Sequence, residues 1–102
     1  MISLDRYPVP DPAIIGQTIE GEAVLVLPEQ GQVKVLNEVG ARIWSLADGT
    51  QTVRDIVATI CTEYAVEPAQ AETDTLDFVA QLAERGIVAL STRPVPAGDT
   101  RS

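Results

Sequence analysis

The hydrophobic period of this chain changes at Asn37, and that change limits its fold more than any other feature. Before Asn37 the apolar residues fall in short runs and alternations suited to strands, and after it they recur at helical spacing. Ala23-Val24-Leu25-Val26-Leu27 is dense in β-branched and aliphatic residues and reads as a strand. Ile14 to Ile19 is a first strand ahead of it, with Glu20-Gly21 as a short turn. Pro28-Glu29-Gln30-Gly31 then supplies a hairpin loop, with Pro to start the turn and Gly free to take positive φ. Gln32-Val33-Lys34-Val35-Leu36 alternates with period 2, which predicts a third strand with Val33 and Val35 toward the core and Gln32 and Lys34 away from it. Three short strands on tight loops make an antiparallel meander.

Asn37 is a good N-cap for a first helix carrying Val39, Ile43, Leu46 and Ala47 on one face, stopped by Asp48-Gly49. Thr52-Val53-Arg54-Asp55 resembles a capping box, and Val53, Ile56, Val57, Ile60 and Tyr64 continue it as a second helix. Pro68 fits the first turn of a third helix running to about Arg85 and ended by Gly86. Ile87 to Leu90 is a short apolar segment, either a closing strand or a strap across the core. The class is α+β in the order β-β-β-α-α-α. Residues 1–12 read as a flexible, proline-rich arm, 13–90 as one domain and 91–102 as a flexible tail.

Composition then removes whole classes of function. The 102 residues contain no histidine, so the commonest general base and metal ligand are absent. A single cysteine, Cys61, excludes an internal disulfide and a cysteine-cluster zinc site, and without a histidine beside it argues against a catalytic thiol. Neither an enzyme nor a cofactor or metal is expected. A net charge of −8 opposes nucleic-acid binding, and residues 67–85 set five carboxylates against one arginine. The longest purely apolar run, Ala23 to Leu27, is far too short to span a bilayer, and Met1 to Pro12 lacks the pattern of a signal peptide, so a cytoplasmic protein away from membranes is expected. A carrier protein would need a serine at a helix start; Ser45 follows Trp44 inside a helix.

The run Leu36-Asn37-x-x-Gly40-x-x-Ile43-Trp44, then Asp48-Gly49-Thr50-x-Thr52-Val53 and Ile56-Val57, resembles the signature of the PqqD family. Tyr64-x-Val66 and Asp74-Thr75-x-x-Phe78-Val79-x-x-Leu82-x-x-x-Gly86 stand in register with that family's last helix, and Leu27-Pro28-Glu29 and Val33-Lys34-x-Leu36-Asn37 match upstream. The resemblance covers roughly residues 14–90. It implies a small winged-helix-turn-helix-like domain that recognises the leader segment of a ribosomally made precursor peptide. Such a domain delivers the leader to a modifying enzyme, such as a radical SAM protein, or to a leader peptidase. Pyrroloquinoline quinone, lasso peptides and other modified peptides are made with domains of this kind. The leader adds as a strand to the edge of the third strand and lies against the third helix.

Carried onto this sequence, the resemblance implies a peptide site at Gln32, Val33, Lys34, Val35 and Leu36 on the strand and at Glu72, Thr73, Leu76, Val79, Ala80 and Ala83 on the helix. At about 100° per residue, Ala71, Thr75, Phe78, Val79 and Leu82 form the core arc of that helix, and Leu76, Ala80 and Ala83 a second apolar strip. The strip is either one wall of a peptide groove or the seat of the Ile87–Leu90 segment or the N-terminal arm. Lys34, the only lysine, either draws an acidic leader or guards a free strand edge against aggregation. Trp44 reads as core, and Gly40 as a point of close helix packing. Tyr7-x-x-Pro10 resembles a motif of some leader peptides, so the arm could occupy the groove itself. The acidic far side of the third helix is a candidate surface for the enzyme. An acidic winged-helix interaction subunit unrelated to peptide modification is the alternative reading.

Overall fold

A computed structural model describes residues 3–95. In chain order the elements are β1 (Tyr7–Pro10), β2 (Ile15–Ile19), β3 (Glu22–Leu27), a 3-10 turn (Pro28–Gln30), β4 (Gln32–Leu36), α1 (Glu38–Leu46), α2 (Val53–Tyr64), α3 (Pro68–Glu84) and β5 (Val88–Ser91). The antiparallel sheet β2-β3-β4 followed by three helices is the α+β order read from the sequence. A second, two-stranded sheet of β1 and β5 is added to it.

The β2–β3 hairpin turns on two residues, Glu20 (φ 51°) and Gly21 (φ 85°), both in the left-handed region that a two-residue hairpin of this hand requires. The register pairs Ala23 with Leu36, Leu25 with Lys34 and Leu27 with Gln32. Ala23, Leu25 and Leu27 are buried, so Gln32, Lys34 and Leu36 share the inner face. Val33 and Val35 instead lie on the outer face, 63% and 62% exposed. This inverts the sequence expectation for β4. Alternation supplies a period but not a phase, and the phase follows from pairing with β3 and from the need to bury Leu36.

Helix starts are fixed locally. The Asn37 side chain accepts the Gly40 amide at 2.8 Å. In α2 every amide of the first turn has a partner: Val53 N–H donates to Arg6 O (3.0 Å), Arg54 N–H to Leu4 O (2.9 Å), and Asp55 N–H to Thr52 Oγ1 (3.1 Å). The Asp55 carboxylate returns a bond to the Thr52 amide, completing the capping box. Thr52→Ala is expected to cost about 1 kcal/mol, read as a lower denaturant midpoint at unchanged slope. Arg42 joins α1 to α2 through Glu63 at 2.8 Å. Hydrogen bonding to Arg42 holds the Glu63 carboxyl below its usual range, so the pair's small, solvent-screened contribution is present above that range and fades as pH falls through the lowered value.

Two buried clusters hold the domain together. Ile43, Leu46, Val53, Ile56, Ile60 and Val79 pack the helices, while Leu25, Leu27, Leu36, Leu82, Ile87 and Val88 pack the sheet against α3 and β5. Each fully buried side chain of this size contributes roughly 1.5–3 kcal/mol. Trp44 packs against the sheet cluster, as expected. Its indole lies over Gly16, where a Cβ would come within 2.9 Å of Nε1.

Within the N-terminal segment that reads as a loose arm, one stretch forms a strand. Tyr7 to Pro10 pairs antiparallel with Ser91 to Val88, and Pro8 is buried. Prolines two residues apart leave the amides of Tyr7 and Val9 for the same edge, so β1 can pair despite them. Ile87–Leu90 is therefore part of a strand, paired with β1 outside the main sheet. Tyr7-x-x-Pro10 forms β1 and does not occupy a groove beside β4. Val95 donates to the Gly49 carbonyl at 2.7 Å, and a side chain at Gly49 would collide with the Val95 carbonyl. Residues 1–2 of the arm and 96–102 of the tail lie outside the described residues. Among the described residues, no helix is long and apolar enough to cross a membrane.

Candidate functional site

A cavity opens where β4 runs into α1. Its volume is about 440 Å³, and it is bounded by Lys34, Val35, Leu36 and Asn37 on the strand side and Val39, Gly40 and Ile43 on α1. Ile60 and Val66 close one side, and Ala71, Asp74, Thr75 and Phe78 of α3 form the opposite wall. Among the described residues β4 is bonded to β3 along one edge only, and the strand borders this cavity. A strand edge with unpaired amides and carbonyls beside an apolar hollow is the geometry that accepts an extended chain.

Each wall follows from local structure. Leu36 turns inward as the last residue of β4, and the Asn37 cap starts α1 at once, so strand and helix meet at the mouth. Gly40 lies on the floor: a Cβ there would stand 3.4 Å from the Phe78 ring and 3.3 Å from Asn37 Oδ1. Phe78 packs against both buried clusters and so ties α3 to the sheet at the back of the hollow. The polar groups are few. Lys34 is half-buried and makes no ion pair among the described residues, and Asp74 faces the same cavity while accepting from Gln70 Nε2 at 2.8 Å. Thr75 is fully buried, and its hydroxyl has no protein partner.

Of the eleven residues expected in a peptide site, the cavity brings together Lys34, Val35 and Leu36. Gln32 and Val33 continue along the same strand, exposed. Glu72 and Thr73 are exposed and away from the cavity, and Val79 is buried in the helical core with nothing left to offer a ligand. Leu76, Ala80 and Ala83 are half-buried and do not line it. Leu76 packs on the helical cluster and Ala83 on the cluster that contains Ile87 and Val88. Ala83 thus packs in the cluster that holds the returning chain, one of the alternatives left open by the sequence, and the α3 residues that line this cavity are Ala71, Asp74, Thr75 and Phe78. Ala71, Thr75 and Phe78 lie on the core arc itself. The groove is the end of the core face that no element covers, and helical periodicity cannot separate covered from uncovered parts of one arc. The missed signal was adjacency: the strand-to-helix junction at Leu36-Asn37 opens the hollow and exposes that end of the arc.

Comparison with known proteins bears on this site. The family model described as "Coenzyme PQQ synthesis protein D (PqqD)" matches residues 22–88. Among solved structures, TbiB1 in complex with the TbiA(beta) leader peptide is similar at 34% identity and a TM-score of 0.73, over 78% of this chain and 93% of that one. A lasso peptide synthetase B1 complexed with the leader peptide is similar at 25% identity and a TM-score of 0.73, over 81% of this chain and 98% of that one. No curated protein sequence matches significantly. The family match spans most of the ordered sheet and all three helices, and the likeness to these structures extends over nearly their full length: this chain belongs to the PqqD family.

Proposed function

We propose that this chain is a non-catalytic adaptor for the leader segment of a ribosomally made precursor peptide. The leader pairs with the free edge of β4, sets alternate side chains into the cavity against α3, and is presented to a modifying enzyme or leader peptidase. The observation that carries the reading is the unpaired edge of β4 beside an apolar hollow of about 440 Å³. Support comes from TbiB1, 34% identical over nearly its whole length and solved in complex with the TbiA(beta) leader peptide. The cavity wall offers one lysine and one aspartate among apolar side chains, a set suited to holding a peptide rather than to acid–base chemistry. Main-chain bonds plus a few pockets predict an interface below about 1,200 Å², on the scale of transient complexes. The place of action under this reading is the cytoplasm, where ribosomal precursors emerge.

Titrating the labelled protein with the leader peptide, followed by NMR, tests the reading. Shifts are expected in residues 32–40 and 71–78, and their confinement to β1 and β5, or their absence, overturns it. Lys34 supplies a second check. Lys34→Glu is expected to weaken an acidic leader about tenfold at low ionic strength, with the difference shrinking as salt is raised. Equal affinity of the two proteins at low salt would remove the lysine from the site.

A further inference from the structure

The outer face of the β2-β3-β4 sheet is largely aliphatic, and its side chains are left exposed among the described residues. Ile15, Val26 and Val33 stand in one cross-strand row, 55%, 36% and 63% exposed. Gln17, Val24 and Val35 form the next row, and Ile19, 54% exposed, stands opposite Glu22 at the hairpin end. Together they leave on the order of 400 Å² of apolar surface in one patch, the size at which such patches on monomers serve recognition. Cross-strand pairing of β-branched residues supports the strands, but threonine would serve there as well, so an all-aliphatic row facing water is more than the sheet itself requires.

We infer that this face is the docking surface for the modifying enzyme, which meets it with an aliphatic patch bordered by lysine and arginine. The inference rests on the leader-binding reading above. Charge selects the occupant. The hairpin end of the face carries exposed Glu20 and Glu22, and the only basic residue in the three strands, Lys34, lies on the inner face. A second copy of this chain, itself at −8, would bring carboxylates to carboxylates and gain no ion pair. A basic-rimmed partner satisfies both the apolar centre and the acidic border. The face is also continuous with the leader edge. A strand added beside β4 sits about 4.8 Å from it, and those of its side chains that point away from the cavity fall next to Val33 and Val35. Enzyme and leader therefore share a border, and each tightens the binding of the other.

The test uses Ile15→Lys and Ile19→Lys, both on β2 and separated by β3 from the leader edge. Probes are the labelled leader peptide and the purified modifying enzyme encoded with the precursor. Both variants are expected to keep the wild-type melting temperature and to bind leader within twofold of wild type by fluorescence anisotropy. Their affinity for the enzyme is expected to fall at least tenfold, and wild-type affinity for the enzyme to fall as salt is raised. Normal enzyme binding by both variants, with leader bound, overturns the inference. So does a wild-type dimer in sedimentation that Ile15→Lys converts to monomer, because the face then belongs to a second copy. Failure of the wild type to bind leader is a different result: it removes the leader reading, and this inference falls with it.

Discussion

Gly40→Leu is expected to lower leader affinity at least tenfold while the domain stays folded. Gly40 forms the floor of the cavity, and a side chain there points at the Phe78 ring, 3.4 Å from where its Cβ would stand. The ring must yield by a few tenths of an ångström, and the remaining carbons occupy space that a peptide side chain needs. Helix α1 does not suffer, because leucine is favoured over glycine in a helix by about 0.8 kcal/mol, which offsets the displacement of the ring. The cap bond uses the backbone amide of residue 40, and its acceptor, Asn37 Oδ1, stands 3.3 Å from the added Cβ and has only to give slightly to keep it. Tenfold corresponds to about 1.4 kcal/mol of lost binding free energy. Gly40→Ala, with only the Cβ added, is expected to lose two- to threefold, as befits the smaller intrusion. Calorimetric titration of both variants, beside thermal melts, checks the result. A folded Gly40→Leu protein that binds leader like wild type would place the peptide elsewhere.

Removal of residues 1–10 is expected to destabilise the domain by about 3–5 kcal/mol, a large share of the roughly 5–15 kcal/mol available to a domain of this kind. The truncation deletes β1 and exposes the flank of β5, uncovers the site of buried Pro8, and takes Leu4 from the helical cluster. It also removes the Leu4 and Arg6 carbonyls that accept the first two amides of α2. Exposed Asp5, 3.1 Å from Arg54, adds little to this. The melting temperature is expected to fall by about 15 °C or more. Leader affinity, measured where the truncated chain is folded, is expected to remain as in the full chain. An arm that competed for the groove would give the opposite pair of results: unchanged stability and tighter leader binding.

These expectations depend on features of unequal legibility. The helix starts could be read directly, because Asn37, the Thr52–Asp55 box and Pro68 act on amides within three residues of themselves. The meander was legible for a similar reason, with short strands bounded by Glu20-Gly21 and by Pro28 to Gly31. The inner face of β4 was misjudged because Val33 and Val35 form the more regular apolar pair, and only their pairing with Val26 and Val24 shows that they face outward. The second apolar strip of α3 is legible with its alternatives open, and only the packing shows that Ala83 joins the cluster of Ile87 and Val88 while Leu76 packs on the helical cluster. β1 was read as loose, since prolines in isolation argue against a strand and its partner lies eighty residues further along.

The candidate site divides along the same line. Lys34, Val35 and Leu36 could be named from the strand and its family resemblance, whereas Ala71, Asp74, Thr75 and Phe78 could not. The amino-acid sequence by itself determined the order of the three meander strands and three helices, the caps of α1 and α2, the family and the absence of histidine chemistry, because each is set by local spacing or by composition. The tertiary structure alone decided which side of β4 faces the core, that Tyr7–Pro10 pairs with β5, and which part of the core face of α3 lines the cavity. Those depend on contacts between distant segments, where the burial of one partner fixes the exposure of another, and no local period records which partner arrives.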